Sequence, residues 1–137
     1  MAGNNLLNIL EHNDLSFIEK RTLFMGIVAN AIFSRTNFKK NKELHSYVNI
    51  FEEEFQVINR RTKEAGFAKY VYASRTLLFS RISKLLYEVD TPSVLNRLID
   101  RHREFFELKS KRLYSKKTNH KKETSILADM ELNNEWI

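Results

Sequence analysis

"SFIEKRTLFMGIVANAIFS", Ser16 to Ser34, decides the fold class. Ser16 followed three residues later by Glu19 has the form of a capping box, so a helix opens here. At 100° per residue Phe17, Phe24, Val28, Ala31 and Ile32 fall near one line, with Ile18, Met25 and Ala29 beside it. Only a narrow strip with Glu19, Gly26 and Asn30 interrupts the apolar surface. A helix this apolar is expected to be central and packed on several sides.

The same period recurs on both sides of this segment, and strand-type alternation is nearly absent. A short helix is expected over 4–12, ending before Asn13 and Asp14. Downstream, "RTNFKKNK" (Arg35 to Lys42) reads as a connection. A third helix over 41–63 places Leu44, Tyr47, Val48, Phe51, Phe55 and Ile58 on one face. A fourth over 64–89 does the same with Phe67, Val71, Leu78, Ile82, Leu85 and Val89. Gly66 is the best sign of a break, and a single bent helix is the alternative. In "DTPSV", Thr91 as N-cap and Pro92 as first helical residue start a fifth helix running to about Tyr114. Its inward residues are Val94, Leu95, Leu98, Ile99, Phe105, Phe106 and Leu113. A short last helix is expected over 124–132. The chain therefore reads as all-α, a single-domain bundle of five to six helices over 1–122 followed by an acidic, apolar tail at 123–137.

With 137 residues the chain is long enough for one domain with a real core, and it contains no cysteine, so disulfides and thiolate ligands are excluded. No apolar run approaches the length of a membrane span, and "MAGNNLLNILEHND" lacks the pattern of a secretory signal. A cytoplasmic protein is the expectation. The net charge is +6. Residues 123–137 carry four acids and no base, so the preceding body holds 23 bases against 13 acids, or +10. Such a charge attracts phosphate backbones and acidic proteins without choosing between them.

Motifs for catalysis are missing: there is no His-Glu-x-x-His, no Walker loop, no Gly-x-Ser-x-Gly and no EF-hand loop. The expectation is a non-enzymatic protein with no metal and no cofactor. His102 sits in the apolar stripe of the fifth helix. Of its two readings, haem ligand and core-edge histidine, the second is preferred because no second histidine stands in a distal position. Ser74 and Arg81, seven residues apart on the expected fourth helix, complete a third, ligand-sensing alternative with His102. The simpler reading lets Arg81 reach outward to Glu88 or to Glu52–Glu54.

Two classes of partner remain. A protein partner, or a second copy of the chain, would be held by bundle faces and by Ile126, Leu127, Met130, Trp136 and Ile137 of the tail, a composition suited to a short docking helix. Nucleic acid would be held by Lys39, Lys40 and Lys42, by Arg60 and Arg61, and by the dense run Lys109, Lys111, Arg112, Lys116, Lys117, Lys121 and Lys122. Arg60, Arg61 and Lys63 have a structural explanation as cations at a helix C-terminus; Lys39, Lys40 and Lys42 do not. No helix-turn-helix, KH, RNP or zinc-finger signature accompanies them. A regulatory interaction protein is the first reading, a nucleic-acid-binding accessory protein the second.

Overall fold

The computed structural model describes residues 2–12 and 14–122, with side-chain detail over 6–112. The described residues are helical, with no strand, as an all-α reading requires. The helices are α1 (Ala2–His12), α2 (Phe17–Phe33), a 3-10 helix (Asn41–Leu44), α3 (His45–Glu54), α4 (Lys69–Tyr72), α5 (Arg75–Tyr87) and α6 (Pro92–Lys122). The chain divides into two units, Met1–Arg101 and His102–Ile137, the boundary falling within α6.

In the first unit the capping box at Ser16 forms as its spacing predicts. The Ser16 hydroxyl accepts from the Glu19 N–H at 3.2 Å, and the Glu19 carboxylate accepts from the Ser16 N–H at 3.1 Å. α2 then packs on α1 and α5. Phe24, Ile27, Val28 and Ile32 of α2 are buried, as are Leu10 of α1 and Leu78, Ile82 and Leu86 of α5. A second aromatic group gathers around Tyr47, whose ring lies 5.7 Å from Phe38 and 5.5 Å, edge to face, from Phe51. Each such ring removes enough apolar surface from water to contribute about 1.5–3 kcal/mol before entropy is subtracted.

Two expectations change. The third and fourth helices over 41–63 and 64–89 do not form as drawn. α3 stops at Glu54, and residues 55–68 make an irregular excursion containing one antiparallel bridge, Ile58 with Ala65. The turn is closed by Asn59 N–H to Glu64 O (2.9 Å), Lys63 N–H to Asn59 O (2.8 Å) and Gly66 N–H to Val57 O (2.7 Å). Gln56, Lys63 and Gly66 all take positive φ, which no α-helix accommodates. Ile58, expected in the core, is 59% exposed. The fifth helix does begin at Pro92, but it continues to Lys122 rather than Tyr114, and the Thr91 hydroxyl donates to Asp90. α2 packs on α1 and α5, and its strip of Glu19, Gly26 and Asn30 faces out. Its outer face is open, with Ile18 64% and Phe33 45% exposed.

In the second unit, α6 continues through His102, which is buried and lies 4.8 Å from the Phe106 ring, while Phe105 meets Phe106 edge to face at 5.2 Å. The expected helix over 124–132 lies outside the described residues.

Candidate functional site

The polar residues first divide into those that hold the backbone and those that face outward. Arg75, in the first turn of α5, is 6% exposed. Its guanidinium donates to the Ile32 carbonyl at 2.8 Å, to the Phe38 carbonyl, and through Nε to Asn41 Oδ1 at 2.9 Å. Asn41 in turn donates to the Ala73 carbonyl at 3.1 Å. Ile32 lies in the last turn of α2, where carbonyls lack helical partners, so Arg75 supplies donors that the helix cannot. Desolvation, and then the Arg35 charge, lower its pKa from the ordinary arginine value, against the opposing pull of Glu43. Arg21 does a similar task at the end of α5: it donates to the Val89 carbonyl at 2.9 Å, with its guanidinium 5.0 Å from the Tyr87 ring and 5.7 Å from the Phe17 ring.

The three acids of "EEE" each have a separate partner. Glu54 pairs with Arg97 at 2.7 Å and Glu53 with Arg101 at 2.8 Å, tying the end of α3 to the start of α6. Arg101 also donates to the Ile50 carbonyl at 3.3 Å. Glu52 turns to the excursion and accepts from the Phe67 N–H at 2.7 Å. Burial, followed by the neighbouring Glu52 charge, pushes the Tyr72 phenol up from its usual value.

Ser74 and Arg81, both in the first unit, each have their own partner. Ser74 is the N-cap of α5, its hydroxyl accepting from the Leu77 N–H at 3.2 Å. Arg81 is exposed and donates to the Tyr70 hydroxyl at 3.4 Å, not to Glu88 or Glu52–Glu54. His102 is 4% exposed, and burial, helped by Arg103, pulls its pKa down to about 4, so the imidazole is neutral. Among the described residues no cluster of three or more His, Cys, Asp or Glu could hold a metal ion.

Of the basic residues, Lys39 and Lys40 are exposed on the connection into the 3-10 helix and Lys42 is exposed within it. Arg60 and Arg61 are exposed at the tip of the excursion, six and seven residues beyond the end of α3, so the helix-dipole explanation for them is removed. Lys111 and Arg112 are exposed on α6, with Lys109 half-buried. Lys116, Lys117, Lys121 and Lys122 belong to α6 by backbone. Ile126, Leu127, Met130, Trp136 and Ile137 lie outside the described residues.

The surface that sequence reasoning missed is the outer face of α2. Ile18, Thr22, Met25, Gly26, Ala29 and Phe33 fall within an arc of about 100°. Ile18, Thr22, Gly26 and Phe33 are exposed, and Met25 and Ala29 half-buried. A Cβ added at Gly26 would meet nothing within 4 Å. These six carry no charge, and the exposed Glu19 and Asn30 border them on the Gly26 side. No helix of the described residues is long and apolar enough to cross a membrane. No protein-family model, curated protein or solved structure matches the chain.

Proposed function

We propose that this protein works by binding another protein chain, not by catalysis, and that the outer face of α2 is its principal recognition surface. The observation carrying this reading is the exposure of Ile18 and Phe33 on a helix that the sequence makes apolar almost all round. An apolar stripe left in water on a well-capped helix gains free energy when a partner covers it. Arg75, the buried cation most suggestive of a ligand site, is occupied by carbonyls of its own chain, which favours binding over chemistry.

The test is capture of partners from the native cell by wild-type protein and by Ile18→Asn, with and without nuclease. The expected result is nuclease-resistant capture that the substitution abolishes. Capture that Ile18→Asn leaves unchanged contradicts the reading. Truncation before Glu123 examines the tail in the same assay.

A second reading, nucleic-acid binding, is favoured by one particular observation. Arg60 and Arg61 stand at the tip of an ordered turn with no helix end to stabilise. With Lys39, Lys40 and Lys42 they would contact phosphates without reading sequence. A gel shift with unrelated DNA and RNA at about 50 mM salt, lost steeply as salt rises, supports it, and no shift there ends it.

A further inference from the structure

The stripe on α2 has a property that exposure alone does not give it: it is self-complementary when turned end over end. We infer that its occupant is a second copy of this chain, the two α2 helices crossing antiparallel at a point between Met25 and Gly26. This inference rests on the reading of that face as a recognition surface and names its partner.

The register carries the argument. About that crossing point, Ile18 and Phe33 are equally distant, as are Thr22 and Ala29, and Met25 and Gly26. A two-fold axis there sets Ile18 of one copy against Phe33 of the other, a large apolar side chain at each end. Thr22 meets Ala29, two small residues that let the helices approach. Beside the axis the two Gly26 residues lie against each other, where the backbone is bare and the space above it empty, and the two long, adaptable Met25 side chains fill the other side. Each copy presents the same patch to the other, as an isologous contact requires.

Charge agrees with this orientation. Glu19 stands at the N-terminal end of α2, and Arg35 lies just beyond its C-terminal end, both exposed. Antiparallel pairing brings the acid of one copy toward the base of the other at both ends; parallel pairing would set like against like. Helix dipoles also oppose favourably in the antiparallel arrangement. α2 has 17 residues and is about 25 Å long. A contact of one helix pair falls below the roughly 1,200 Å² of a standard stable interface. The dimer is therefore weak and concentration-dependent, with a Kd between about 10 µM and 1 mM.

Gly26 allows a clean test because an added Cβ would meet nothing within 4 Å in the monomer. Sedimentation equilibrium across that concentration range should show wild-type chain passing from monomer to dimer. Gly26→Gln should remain monomeric while its thermal midpoint holds or rises, since glutamine is the better helix former. The chain has no cysteine, so Gly26→Cys should form a disulfide-linked dimer on mild oxidation, whereas Ser80→Cys, exposed on α5, should not. Wild-type chain still monomeric at about 1 mM overturns the inference, as does a dimer that Gly26→Gln leaves intact. Two results would then separate the levels. A wild-type monomer whose cellular capture is lost in Ile18→Asn sinks the dimer and keeps the recognition surface. Neither association nor capture changing sinks both. Binding to vesicles of anionic lipid that Gly26→Gln weakens, without a dimer in solution, assigns the face to a lipid surface and overturns the inference equally.

Discussion

Two irregular segments of the first unit, 34–41 and 55–68, are both basic and both join helices, yet they are held in opposite ways. Segment 34–41 is fixed by a cation: Arg75, from α5, takes the Ile32 and Phe38 carbonyls and Asn41. Segment 55–68 is fixed by an anion: Glu52, from α3, takes the Phe67 N–H and stands over Gly66. A helix supplies one charged side chain per loop, and its sign follows from whether the loop turns carbonyls or N–H groups inward. The loops' own cations, Lys39, Lys40, Arg60 and Arg61, are left facing water. Positive charge among these described residues thus has two populations, one tied into the backbone and one facing water.

The largest effect should come from breaking the first clamp. Arg75→Leu strands two buried carbonyls and the Asn41 amide and should cost about 3–5 kcal/mol, read as a lower midpoint in urea. Arg75→Lys should recover only part, because an ammonium cannot reproduce the fork of donors.

The buried imidazole gives the comparison a second edge. Arg75 keeps its charge because carbonyls replace water, whereas His102 sheds its own. With a folded pKa of about 4 against 6.5 in the unfolded chain, the unfolded state takes up the proton first as pH falls. The stabilising difference is whole above about pH 6.5 and should decline by about 3 kcal/mol as pH drops to about 4. Urea melts across that window should show this slope in wild type and its loss in His102→Phe.

The anionic clamp should cost less to disturb. Gly66 has φ 99°, and an added Cβ would lie 2.7 Å from Glu52 Oε2. Gly66→Ala should lose about 1–3 kcal/mol through backbone strain and displacement of that carboxylate. The smallest effect belongs to the outward cations. Arg60→Ala with Arg61→Ala should change stability by less than about 0.5 kcal/mol, and a larger loss would erase the distinction between the two populations.

How far the sequence could be read follows from the same clamps. α2 was legible to within a residue because Ser16 and Glu19 carry their own cap and the apolar run ends where polar residues begin. α3 was overextended because Phe55 and Ile58 continue the period of Leu44, Tyr47, Val48 and Phe51. The break there is made by Glu52 acting across fifteen residues and by positive φ at Gln56 and Lys63, neither of which is a glycine. That error carried the helical phase into α5. With a continuous helix from Glu64, Arg81 joins Ser74 and Leu78. With a fresh start at Ser74, Arg75 joins Leu78, Ile82 and Leu86, and these four are the buried positions. Reading Ser74 as an N-cap would have found Arg75. The open face of α2 could not be found this way, because an apolar helix looks the same in sequence whether its outer side meets its own core or a separate partner.

The central claim is that this outer face serves recognition and is not part of the fold's own core. Equilibrium urea denaturation of the double variant Ile18→Asn with Gly26→Gln, at a concentration below dimer formation, tests it most directly. The account predicts stability no more than about 0.5 kcal/mol below wild type. A loss of about 2 kcal/mol or more, as expected for polar substitution within a packed interior, would contradict it.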